Sequence, residues 1–248
     1  MTYEPAAQCR RSRIAHLLCG LLLLTGSASA SALSDKDPLE PINRPIFALN
    51  NTLDRFAVRP LARGYDAVMP GPAQRIVSNF FSNLYDVTST LNAMLQLRGK
   101  GVVQSGGRVA INTTFGLVGL FDVASSLGVA PYRTDFGQTL ALWGVPEGPY
   151  LMLPLFGPRT VRSGAGTLVD TFALSVPPQL DDQALRNSIW GLELVHWRAR
   201  FLDTDQLISG DRYIFFRDAY LQQRSLLVND GEVIDEFSDF EDEWDEGF

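Results

Sequence analysis

The side chains able to do covalent chemistry are few in this chain, and each stands apart from the partners such chemistry needs. His196, between Val195 and Trp197, is the one histidine beyond residue 30. A histidine base serves a nucleophile held on a sharp elbow, and no G-x-S-x-G occurs; on an oily helix such a residue is usually packed or hydrogen-bonded structure. Both cysteines, Cys9 and Cys19, lie within the first 30 residues, so disulfides, thiolate catalysis and a nitrogen–sulfur metal set are not expected. Gly99-Lys100-Gly101 reads as a turn: it lacks the earlier glycine and the following Ser/Thr of a phosphate loop. Gly164-x-Gly166 lacks the third glycine of a dinucleotide fingerprint. The acidic pairs Asp181-Asp182 and Asp203/Asp205 fall at expected helix edges, where carboxylates cap free N–H groups or face solvent. No cofactor is expected, and an enzyme is the minority reading.

The elements that would position any site are helical. Apolar residues recur at steps of three and four from Ile42 to Ala57, with Pro60 bending or restarting the helix before Met69-Pro70-Gly71-Pro72 ends it. A longer helix is predicted over 73–97. Its apolar stripe is Val77, Phe80, Phe81, Leu84, Leu91 and Leu95, and the other face carries Asn79, Asn83, Asp86 and Asn92. Further helices are predicted over 102–115, 121–127, 134–143, 159–170, 181–202 and 211–227, the fourth or so residue of each turn being apolar. The 181–202 helix is apolar on most of its circumference, which suits burial in protein or contact with lipid. No alternating strand pattern is evident.

Between these helices runs the proline- and glycine-rich stretch Trp143 to Asp170, whose apolar centre Tyr150 to Phe156 is divided by Pro154. Backbone this oily and this irregular is tolerated at membrane depth only where protein covers it or it lines a wet cavity. Residues 230–248 carry ten acidic and no basic side chains, so of the net charge of −7 the body over 31–229 holds about +1. No basic block argues for nucleic acid. Residues 1–30 read as a signal peptide: Arg10, Arg11 and Arg13 precede the apolar Ile14 to Thr25, and Ala28-x-Ala30 offers cleavage near Ala30/Ser31. Leu18 before Cys19 makes lipidation of that cysteine doubtful.

Several motifs, in order, resemble the MlaA/VacJ family. Asp37-Pro38-Leu39-Glu40-Pro41-Ile42-Asn43-Arg44 is similar to its opening, and Val58-Arg59-Pro60-Leu61-Ala62 to its next step. Arg75 to Leu84 resembles its N-F-F-x-N-L helix, Phe115 to Ala124 its glycine-spaced loop ending in D-V-A. Asp135 to Leu140 with Trp143-Gly144-Val145, then Gly148-Pro149-Tyr150 to Leu153-Pro154 and Gly157 to Arg162, resemble its F-G-x-T-L and G-P-Y segments.

The resemblance implies an all-α, single ring-like domain (31–229) of broken amphipathic helices lying in the membrane plane, on the periplasmic side of the outer membrane. It implies removal of misplaced phospholipid from the outer leaflet, with a trimeric porin as membrane partner and a soluble periplasmic carrier (MlaC-like) as recipient. Within that frame Gly116, Gly119, Tyr150, Pro154, Leu155, Phe156 and Gly157 are the candidate lipid path or gate, against the alternative that they only make packing turns. Phe237, Phe240, Trp244 and Phe248 step by three, four and four in a tail (230–248) that is either disordered or folds onto a partner. A soluble periplasmic interaction protein and a hydrolase using His196 are the other classes open on residues alone.

Overall fold

The computed structural model describes residues 37–203, 208 and 210–228. The expected signal peptide with Cys9 and Cys19, Asp205, and the acidic tail with Phe237, Phe240, Trp244 and Phe248 lie outside the described residues. Of the described residues 72% are helical, so the all-α expectation holds, with one small sheet as an addition.

Helix α1 (Glu40–Leu53) starts with Glu40 and Pro41, residues that suit a first turn because its N–H groups lack helical partners. The expected break at Pro60 is gentler than a restart. The proline ring would crowd the carbonyl of Phe56, and a π-turn over Asp54–Val58 widens the helix there before α2 (Arg59–Val68) continues it. Arg59 and Arg198 both bond the Asp54 carboxylate, at 3.0 and 2.7 Å, clamping this turn to the later helix that carries Arg198. Helix α3 (Gly71–Leu95) is 25 residues long and packs along α4 (Gly99–Thr114). Residues 99–101, expected as a turn, form the first turn of α4. Gly101 sits under the Tyr132 ring, where a Cβ would lie 2.5 Å from a ring carbon.

The contact between α3 and α4 is polar. Arg108, 1% exposed, donates to Asp86 (3.0 Å), Asp122 (3.2 Å), Ser125 Oγ (2.9 Å) and the Val129 carbonyl (2.7 Å). Asp122 in turn caps the short α5 (Val123–Ser126) through the Ser125 amide. Asp135 caps α6 (Phe136–Leu142), accepting from the Gln138 amide at 2.8 Å, within the helix expected over 134–143.

The stretch after α6 departs from expectation. Rather than wholly irregular backbone, Tyr150–Leu153 (β1) and Gly157–Thr160 (β2) pair antiparallel, Tyr150 opposite Thr160 and Leu153 opposite Gly157. Pro154, which cannot donate to a ladder, falls in the turn, so it does not interrupt pairing. Leu155 (φ 66°) and Gly157 (φ 75°) take the left-handed conformation that reverses the chain. Tyr150 and Met152, on the same strand face, are buried with Tyr213. Thr160 then opens α7 (Val161–Val169) with a capping box to Ser163. Asp182 caps α8 (Gln183–Arg200) through the amides of Ala184 and Leu185, the role expected of that acid. Helix α9 (Arg212–Val228) closes the described chain.

Residue chemistry is distributed inside out. Among the described residues eight buried side chains are apolar and eighteen polar or charged. On α3 Asn83, Asp86 and Asn92 of the polar face are buried together with Phe81, while Leu91 and Leu95 of the apolar stripe are exposed. On α8 only His196 and Ala199 are buried, and Leu185, Leu192, Leu194 and Phe201 are exposed. No helix among the described residues is long and apolar enough to cross a membrane.

Candidate functional site: a two-walled cavity

A cavity of about 770 Å³ opens between α3, the hairpin and α6 to α9. One wall is polar. Arg159 from β2, Ser163 and Thr167 from α7, Tyr220 and Arg224 from α9, and Asp135 reach it. The other is largely apolar: Phe172, Trp190, Leu194 and Trp197, with Leu155 and Phe156 from the hairpin turn. A volume of this size lined by both polar and apolar side chains is large enough to take part of an amphiphile.

Two glycines hold the polar wall together. A Cβ on Gly166 of α7 would lie 2.3 Å from the Gly137 amide nitrogen of α6, so only glycine allows the two helices to cross this closely. Of the Gly164-x-Gly166 pair only Gly166 has this role; a Cβ on Gly164 would make ordinary contacts with Leu153 and Arg159. Across that crossing Arg224 forks onto both Asp135 oxygens, at 2.5 and 3.0 Å. Asp170 accepts from Asn92 Nδ2 and the Phe136 amide, both at 2.8 Å. Burial pushes its carboxyl up to about 6, outweighing those two donors, which favour the charged form. On the apolar wall Glu193 stands between Trp190 and Trp197 and accepts from the Tyr85 hydroxyl. Burial raises its pKa above the usual range.

The residues singled out from sequence separate in space. Leu155 and Phe156 line the cavity. Pro154 and Gly157 form and flank the turn that carries them, and Tyr150 lies buried behind it against Tyr213. Gly116 and Gly119 do not line the cavity. They are buried in the loop after α4, where a Cβ on Gly119 would strike Asn83 at 2.5 Å and one on Gly116 the Phe121 carbonyl oxygen at 2.2 Å. That loop turns Phe115, Leu117 and Val118 outward. His196 is buried, its Nδ1 3.0 Å from the Tyr65 hydroxyl and its ring stacked on Phe81, away from the cavity lining; burial lowers its pKa. That is the structural role expected of it. Asp203, shortly after α8, is exposed at the surface.

A family profile described as "MlaA lipoprotein" matches residues 35–226, from before α1 to within the last turn of α9. The chain belongs to the MlaA lipoprotein family. Similar proteins include the "Intermembrane phospholipid transport system lipoprotein MlaA" of Escherichia coli (strain K12), 36% identical over 231 residues, 89% of this chain and 90% of that protein. The protein of the same description from Haemophilus influenzae is 32% identical, over 88% of this chain and 91% of its own length. A solved chain described as "Structural basis for maintenance of bacterial outer membrane lipid asymmetry" superposes with a TM-score of 0.67 at 36% identity, covering 77% of this chain and 98% of that one. The MlaA-family motifs take on physical roles in this fold. Asn43 of the opening motif bonds the hairpin, and Asp122 of the D-V-A motif anchors Arg108.

Sequence reading alone missed Arg159, Arg224, Glu193 and Trp190. Each sits in a segment read for its apolar periodicity, and only the crossing of α6, α7 and α9 brings the polar ones to one wall. The spacing of Trp190, Glu193 and Trp197 by three and four was the available signal for the other.

Proposed function

We propose that this chain is the outer-membrane component of a phospholipid transport system, removing misplaced phospholipid from the outer leaflet and handing it to a soluble periplasmic carrier. The two-walled cavity carries the reading. A phospholipid has a charged head and apolar tails, and its passage requires a polar lane beside a shelter for acyl chains. The outward apolar residues of α3, α8 and the 115–121 loop would seat the 31–229 domain in the leaflet, its broken helices ring-like and parallel to the membrane plane. A trimeric porin would steady it there, with or without lipidation at Cys19.

The hairpin turn is the proposed gate: Leu155 and Phe156 project at the cavity while Pro154 and Gly157 shape the turn and Tyr150 roots it. Gly116 and Gly119 would fold the apolar loop that enters the leaflet beside the path. No nucleotide motif occurs, so flow would be passive, its direction set by the carrier that withdraws lipid. The tail aromatics Phe237, Phe240, Trp244 and Phe248 are proposed to meet that carrier.

Deleting the gene tests the proposal. A null strain should accumulate phospholipid in its outer leaflet and become detergent-sensitive, and an unchanged outer leaflet would overturn it. Leu155→Ser with Phe156→Ser tests the gate separately, through altered outer-leaflet phospholipid with normal protein level. Truncation after Asn229 with unchanged carrier affinity would remove the tail from the scheme.

A further inference from the structure

Three arginines line the cavity, and they differ in what they hold. Arg224 is forked onto Asp135, and Arg133 faces Asp86 at 3.5 Å. Arg159 donates only to neutral oxygens, Thr167 Oγ1 at 2.9 Å and the Pro158 carbonyl at 2.6 Å, beside the Tyr220 ring (6.0 Å). Burial weakens its hold on its proton, against the opposing influence of Tyr220 and Asp135. A half-buried guanidinium with no carboxylate bonded to it among the described residues gains from an anion, and its fork matches the oxygens of a phosphodiester.

The facing wall carries the complementary group. Trp190, Glu193 and Trp197 share one face of α8, with Tyr85 against Trp197 at 6.3 Å and donating to Glu193. A carboxylate among aromatic faces suits an ammonium, which gains from both charge and π-quadrupole. Tyr85, Glu193 and Arg159 all line this one cavity, so both groups are open to the same bound headgroup.

We propose that the cavity selects a zwitterionic lipid headgroup, Arg159 taking its phosphodiester and Glu193, between Trp190 and Trp197, taking its ammonium. This rests on the transport reading and adds the headgroup class and the residues that read it.

The test is competition for a fluorescent phospholipid bound to the full-length protein in detergent, using phosphatidylethanolamine, phosphatidylglycerol, diacylglycerol and inorganic phosphate. Wild type should prefer phosphatidylethanolamine over phosphatidylglycerol. Arg159→Gln should weaken both phospholipids about tenfold, the loss of one charge-assisted contact, and leave diacylglycerol unchanged. Glu193→Gln should abolish the preference between the two phospholipids while phosphatidylglycerol binds as before. If the glutamine variant does not fold, Arg159→Lys reads the same effect: it keeps the charge, loses the fork, and should weaken both phospholipids by a smaller factor. Wild type binding no phospholipid would overturn the transport reading together with this one. Wild-type binding that Arg159→Gln and Arg159→Lys leave unaltered, a preference that survives Glu193→Gln, or inorganic phosphate competing as well as the lipid would overturn the headgroup assignment alone.

Discussion

The Asn50 side chain accepts from the Leu155 amide and donates to the Leu153 carbonyl, both at 2.9 Å. Two turns earlier on α1, Asn43 does the same for the Met152 amide (2.8 Å) and the Tyr150 carbonyl (3.2 Å). The registers agree. Seven helical residues advance about 10.5 Å, and three strand residues about 10 Å. One helix face thus substitutes for a third strand along the edge of β1, and Asn50 holds the backbone of the proposed gate at Leu155.

Replacing Asn50 with Leu should strand the Leu155 N–H and the Leu153 carbonyl at the turn. The expected cost is about 1–3 kcal/mol, accompanied by faster hydrogen exchange at the Leu155 amide than at Met152. The same change at fully buried Asn43 should cost more, because water cannot replace the lost partners. Chemical denaturation and amide exchange measure both.

Arg108→Met should be among the most damaging single changes. Arg108 and Asp86 are 1% and 0% exposed, and removing this cation leaves the buried carboxylate only the longer 3.5 Å pairing with half-exposed Arg133. A loss of about 3–5 kcal/mol is expected. Adding Asp86→Asn should recover part of it, which a double-mutant cycle would read as coupling between the sites.

Glycine substitutions should differ in sign with their surroundings. Gly166→Ala pushes a methyl into the Gly137 backbone and should cost about 1–3 kcal/mol by thermal unfolding. Gly107, within α4, has open space where its Cβ would be. There Ala should stabilise by roughly 0.5–1 kcal/mol.

Acid should act on two aspartates in opposite senses. Asp170 titrates near 6 in the folded chain, above its ordinary value of 3.8, so the folded state binds that proton more tightly. Through this group stability rises as pH falls from about 6 towards 4. At Asp122 burial pushes up, but the Ser125 hydroxyl and amide, Asn112 and Arg108 together hold the carboxyl down to about 2. Its contribution is present above pH 4 and is lost as pH falls towards 2. Carboxyl NMR titration should find the two midpoints on either side of 3.8, and unfolding free energy against pH should show the two slopes.

Much of the helical layout was legible because it is local. Steps of three and four, and the capping acids Asp135 and Asp182, depend only on near neighbours in the chain, and the amphipathic face of α3 is visible in the same way. The hairpin was not legible. Its strands are short, proline-flanked and held from one side by asparagines of α1 more than a hundred residues earlier, which no local pattern reports. Nor could periodicity say which face of α3 turns inward, because a stripe reads alike whether lipid or protein covers it. The sequence alone determined the helices, their caps and the family through its ordered motifs. Tertiary structure alone decided that polar faces meet inside, that Gly166 admits Gly137, and that Arg159 and Glu193 face one cavity. Those outcomes depend on contacts between distant segments, and contact of that kind exists only once the chain has folded.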